Sequence, residues 1–275
     1  MGRYLKAAIV LVGALGMGAG SAPSGASGGS PPPAGSSGAD ATEQAKGALK
    51  EMATRLAAAK TLAFNVHSLL PIQGRDGGWV TLNGEGRAMR QGNDRLFIET
   101  GGDLSRFKLY FDGKTVTVYA PQEKVWAQKD APPTIDAMLE REAKSGEIAY
   151  VFGDLLSADP YAAMTNGLKS AHIVGTSMVD GVETSHLAVH GQKLDWEIWI
   201  GTADRLPRLV TLTDTSNPRK PTQTVRLSEW SVDQPLPSGA FAAELPADAK
   251  KIPFKPPEEA KAGAAARRGP AAGRP

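Results

Sequence analysis

The chain contains no cysteine. That excludes disulfide bonds, thiolate metal sites and thiol nucleophiles, so a compact core has to hold the fold. It also excludes attachment as a lipid-modified lipoprotein of the usual bacterial kind, which needs an N-terminal cysteine. Histidine is scarce, with four in 275 residues. An excess of charge is lacking as well: 31 Lys and Arg stand against 29 Asp and Glu. The surplus equals Arg3 plus Lys6, and no acid precedes Asp40. Removing the first residues therefore brings the formal charge to about zero, and no basic patch argues for nucleic acid. Long apolar runs are missing too. The longest, Ala7 to Leu15, is well short of the ~20 residues of a spanning helix.

What is present begins with an export pattern. Arg3 and Lys6 precede the apolar run, and small residues follow from Ala19 to Ala26. This predicts a signal peptide over residues 1–26 and a soluble periplasmic or extracellular protein after cleavage. Residues 27–39 read as a Gly/Ser/Pro linker and 255–275 as a disordered tail, leaving one domain at 40–254.

Within that domain, Asp40 and Glu43 form a capping-box pattern, and Leu49, Met52, Ala53 and Leu56 recur at helical spacing, predicting a helix over 41–59. The period then changes to two. Strands are predicted from Leu62, Trp79, Arg95 and Phe107, with a tight hairpin at Asp112-Gly113 leading into Lys114 to Ala120, then Lys124 to Gln128. Asn83-Gly84 is compatible with a second hairpin or with one long strand. Pro132-Pro133 and Thr134 open a helix over 134–144, and Asp159-Pro160 opens a shorter one ended by Asn166-Gly167. Strands resume at Ala171, Val182 to Val189 and Leu194 to Ile200, after the Asp180-Gly181 turn, and continue at 207–214 and 222–232. On the strand Leu194 to Ile200, Trp196, Ile198 and Ile200 share one face while Asp195, Glu197 and Trp199 share the other. Apolar groups on both faces imply a sheet covered on both sides. The element order predicts an α+β fold.

Gly181-Val182, His186-Leu187, Asp195-Trp196-Glu197-Ile198-Trp199-Ile200, Pro207-Arg208, Trp230, Phe241 and Leu245-Pro246 together resemble a family of predicted periplasmic proteins of unknown function, domain of unknown function 2092. That family is similar to the lipoprotein carriers LolA and LolB and to the sensor RseB. The resemblance spans about Thr42 to Phe254. It implies a curved antiparallel sheet, a half barrel, with helices covering the concave side. It also favours one long strand through Asn83-Gly84. Two departures stand out: Thr184 where many relatives carry cysteine, and Arg90-Gln91-Gly92 in place of an Arg-Pro strand opening.

Several patterns imitate chemistry. Gly113-Lys114-Thr115 ends like a phosphate-binding loop, but Lys108 stands where the first glycine belongs and a hairpin replaces the helix. Gly175-Thr176-Ser177 lacks the second glycine of a nucleophile elbow. His186 and His190 point the same way on one strand but have no acidic third ligand, and Asp195 with Glu197 form a polar face rather than an acid–base pair. The expectation is no catalytic residue, no metal and no cofactor. A cavity for an apolar ligand, a lipid or a lipoprotein acyl chain, needs none of these, because each buried CH₂ contributes about 0.8 kcal/mol. Expected lining residues are Phe64, Leu96, Ile98, Leu109, Val116, Val118, Trp196 and Ile198, with Met138 and Leu139 from helix 134–144 as the lid. The alternative is an envelope protein-interaction or stress-sensing module whose core is filled by its own side chains. The chain is read as a monomer in either case.

Overall fold

A computed structural model describes residues 38–74, 77–103, 106–145 and 152–254, with backbone alone for 143–145. The expected signal peptide, nearly all of the linker and the tail lie outside the described residues.

Twelve strands form one sheet. Helix α1 (Gly38–Ala58) leads into a meander of β1 (Thr61–Gln73), β2 (Trp79–Gln91), β3 (Arg95–Gly102), β4 (Phe107–Phe111), β5 (Thr115–Ala120) and β6 (Val125–Asp130). The chain leaves the sheet for α2 (Ile135–Ser145), α3 (Gly153–Leu156) and α4 (Pro160–Thr165). A second meander follows: β7 (Ser170–Val179), β8 (Val182–His190), β9 (Leu194–Gly201), β10 (Pro207–Asp214) and β11 (Thr222–Val232). The meanders fuse where β11 pairs antiparallel with β1, with Leu62 opposite Val232 and Leu69 opposite Thr224. The two-residue β12 (Lys250–Lys251) runs parallel to β6 at one edge, and β7 forms the other.

Local chemistry explains most boundaries. Asp112 Oδ1 accepts the backbone N–H groups of Lys114 and Thr115 at 2.9 and 2.7 Å, closing the hairpin that imitates a phosphate loop. Asp180 and Gly181 both have positive φ at the β7–β8 turn. Thr134 Oγ1 accepts the Ala137 N–H at 3.3 Å, and Asp159 Oδ1 that of Ala162 at 3.0 Å, capping α2 and α4 as the sequence predicts. β2 runs unbroken through Asn83-Gly84. Gly86 lets β2 and β3 come close, since a Cβ there would run into the Glu99 carbonyl oxygen. Helix α1 departs from expectation: it begins at Gly38, so Asp40 lies in its first turn instead of capping it.

The sheet is curved, open and mostly antiparallel. Its concave side holds the main core, where Leu49, Met52 and Leu56 of α1 meet Phe64, Leu96, Ile98 and Leu109, all essentially inaccessible. The convex side is covered in patches. Ala63, Met89, Phe97 and Tyr110 pack under Phe241, flanked by Leu236, Ala240 and Ala243. Burial there, with Glu244 and Glu99 nearby, pushes the Tyr110 phenol up to about 12. On β9 the second face is closed differently: the His186 ring stacks on Trp199 at 3.9 Å between centroids and 9° between planes.

Candidate functional site

Alternation along three neighbouring strands builds an apolar floor on the concave side. Ile198 lies opposite Val210, Trp196 opposite Leu212, and Val210 opposite Val225, so β9, β10 and β11 present one continuous patch that Leu227 extends. Phe152, Leu155 and Met164, from α3, its lead-in and α4, form a roof over it. Between floor and roof lies a partly open cavity of about 80 Å³.

The roof is tethered at several points. Arg90, on the concave face of β2 and 3% exposed, donates from Nη2 to the carbonyls of Leu56 (2.7 Å) and Ala59 (3.1 Å). Its Nη1 reaches those of Leu156 (3.5 Å) and Ser157 (3.4 Å). One guanidinium thus gathers the C-terminal carbonyls of α1 and α3. Burial lowers the Arg90 pKa, with Asp136 and Asp233 opposing the shift. The departure at Arg90-Gln91-Gly92 therefore keeps a buried arginine as its structural centre. The Asp136 carboxylate accepts the Ala158 N–H at 3.1–3.2 Å, and Phe152 meets Phe64 edge-on at 5.8 Å.

Of the expected lining residues, Trp196 and Ile198 reach this cavity. Phe64 instead supports the roof through Phe152 and stacks within 4.4 Å of Trp230. Leu96, Ile98, Leu109, Val116, Val118 and Met138 are buried in the same core, and Leu139 packs against it. Helix α2, expected as the lid, contributes no lining residue here; α3 and α4 are the cover. The physical reason is anchoring: fully buried Glu142 of α2 pairs with Lys129 of β6 at 2.8 Å and with Arg141 at 2.9 Å. Val210, Leu212, Val225 and Leu227 alternate visibly in the sequence, but alternation does not say which strands lie under a helix. α3 is too short for a helical period to show.

Among the described residues Asp154 is the one ionisable residue lining the cavity. Its side chain reaches solvent at the mouth, yet the surrounding walls withhold enough water to raise its pKa. On the convex face, His186 Nε2 stands 3.6 Å from Glu197 Oε2, and His190 Nδ1 3.2 Å from Asp195 Oδ2. Burial lowers the His186 pKa, with Glu197 opposing the shift. Among the described residues no cluster of three or more His, Asp or Glu side chains could hold a metal ion, and no helix is long and apolar enough to cross a membrane. Thr184, fully buried, donates its hydroxyl to the Ser177 carbonyl at 2.8 Å.

The chain path is similar to several solved structures. One is an uncharacterized conserved protein from Thermus thermophilus, at 13% identity and TM-score 0.44, covering 74% of this chain and 98% of that one. Another is a MucA/MucB complex from Pseudomonas aeruginosa, at 15% identity and TM-score 0.39, covering 73% and 61%. A third is a LolA superfamily protein from Nitrosomonas europaea, at 11% identity and TM-score 0.34, covering 71% and 98%. No curated protein sequence matches the chain. Residues 45–255 match the family described as "Predicted periplasmic protein (DUF2092)", and the chain belongs to that family.

Proposed function

We propose that this protein is exported by its N-terminal segment and works as a soluble, non-enzymatic periplasmic binding protein that takes an apolar group, such as part of an acyl chain, into the cleft between β9–β11 and α3–α4. The observation that carries this is the cleft itself: side chains from three strands and two short helices converge on unfilled space with apolar walls. Its volume limits what it takes. About 80 Å³ is well below the ~300–1,000 Å³ of a typical small-molecule site. The closed form therefore admits only the end of a chain, and a longer ligand requires the short α3–α4 segment to lift from the floor. Each CH₂ buried by reclosure contributes about 0.8 kcal/mol.

The test is binding of a fluorescent fatty acid and of Nile red to delipidated protein, beside mass spectrometry of natively purified material. Saturable uptake that Val210→Trp abolishes supports the reading. Absence of both dye uptake and co-purified lipid overturns it.

A second reading, a protein-interaction module, has its own support. Much of the concave side is solid core, and edge strand β7 exposes Ile173 (42%), Val174 (52%) and Met178 (64%). The Thr42 hydroxyl hydrogen-bonds both N–H and C=O of Ala171, and the apolar residues lie beyond that point. An extended segment of an envelope protein pairing with this edge would use these residues. Loss of partner capture in Met178→Lys, with dye binding intact, supports this second reading.

A further inference from the structure

We infer that the cleft selects amphiphiles with a primary ammonium head over those with a carboxylate head, and that Asp154 is the residue that makes the selection. The inference rests on the cleft being a binding site.

Among the described residues every other lining side chain is apolar or, in Trp196, aromatic, so Asp154 is the described group that can give the cleft a charge preference. Its carboxylate makes no hydrogen bond or ion pair with any described residue. Burial raises its pKa. The carboxylate is exposed on one side and borders apolar walls on the other, so a cationic group seated in the cleft would be its first partner among the described groups. A second acceptor lies on the same face of the floor strands. Gln223, inward-facing and 6% exposed, is the register partner of the lining Leu212, and its Oε1 is buried without a partner.

An ammonium group at the mouth, with its alkyl chain on the floor formed by Trp196, Val210 and Val225, supplies what the carboxylate lacks. It brings an opposite charge within contact range and three N–H donors. A fatty carboxylate in the same place puts two anions together in a poorly hydrated mouth. Charge complementarity therefore favours an amine-headed amphiphile. Lipids with an amine in the headgroup and simple long-chain amines share this chemistry.

The experiment compares octylamine, octanol and octanoate, which have matched chains, as competitors for Nile red in the full-length mature protein. Wild type is expected to bind octylamine at least about tenfold more tightly than octanoate, with octanol between them. Asp154→Asn is expected to bring the amine and the carboxylate within about twofold of each other. Equal affinities in wild type, or an amine preference that survives Asp154→Asn, overturns the inference and leaves the apolar cleft standing. Failure of all three competitors overturns the cleft as a binding site, and the head-group inference with it. Asp154→Glu keeps the charge and is expected to restore the preference, which separates charge from any local role at the start of α3.

Discussion

Arg90 donates to the carbonyl of Leu56 at 2.7 Å from the opposite side of the core, joining the middle of the sheet to the last turn of α1. The same side chain reaches Leu156 and Ser157 at the end of α3. Replacing it with methionine leaves buried helix-end carbonyls without donors, each worth about 1–3 kcal/mol. Arg90→Met is expected to lower unfolding stability by about 2–4 kcal/mol in urea and to speed amide exchange at 155–157. An unchanged midpoint would show that water replaces the guanidinium.

Phe64 lies between β11, through Trp230, and the roof, through Phe152. Phe64→Ala removes a side chain that is 1% exposed. The expected cost is about 3–5 kcal/mol. The space left adjoins Phe152, which lines the cleft, so Nile red uptake should rise even as stability falls. Lower uptake in a folded variant would mean that the roof collapses into the hole.

Asp154 has a folded-state pKa above its unfolded value. Its protonated form is therefore favoured by folding, and that contribution is present at acid pH and lost as the pH rises through the folded pKa. Asp154→Asn should melt higher than wild type at neutral pH, with the gap closing below about pH 4. Thermal melts across that range check this, and a variant less stable than wild type at neutral pH would contradict it.

His186 behaves in the opposite sense for protons. Burial holds its folded pKa below the ordinary imidazole value, so its contribution is intact above about pH 6.5 and is lost as the pH falls. His186→Phe keeps a ring on Trp199 and removes the titration. Its melting temperature is expected to fall less than that of wild type on acidification from about pH 7.5 to about 5.5. Identical slopes would place the acid sensitivity elsewhere.

Much of the strand plan was legible in the sequence because turn chemistry is local. Asp112-Gly113 and Asp180-Gly181 announce their hairpins, and Thr134 and Asp159 announce their helices. Which strands become neighbours was not legible. The pairing of Leu62 with Val232 joins the two ends of the domain, and nothing near either residue encodes it. The convex cover was half visible: Met89, Phe97 and Tyr110 alternate toward that side, but the segment around Phe241 that packs on them has no strand or helix period. For the cleft, Trp196 and Ile198 stood out by their alternation. Asp154 did not, because a single acid between Gly153 and Leu155 looks like any helix start. Whether a concave face is filled depends on how the volumes of distant side chains fit together, and here Leu96, Leu109 and Val116 are fully buried in the core on that side.

The seam between β1 and β11 has a kinetic consequence. β1 is made early, and its lasting partner on that side is the last long strand. Until β11 arrives, the first meander carries a bare row of backbone donors and acceptors along a thirteen-residue strand. Closing contacts this far apart in sequence is slow. Refolding should therefore be limited by this late zippering, and intermediates should aggregate in proportion to how long the seam of β1 stays open.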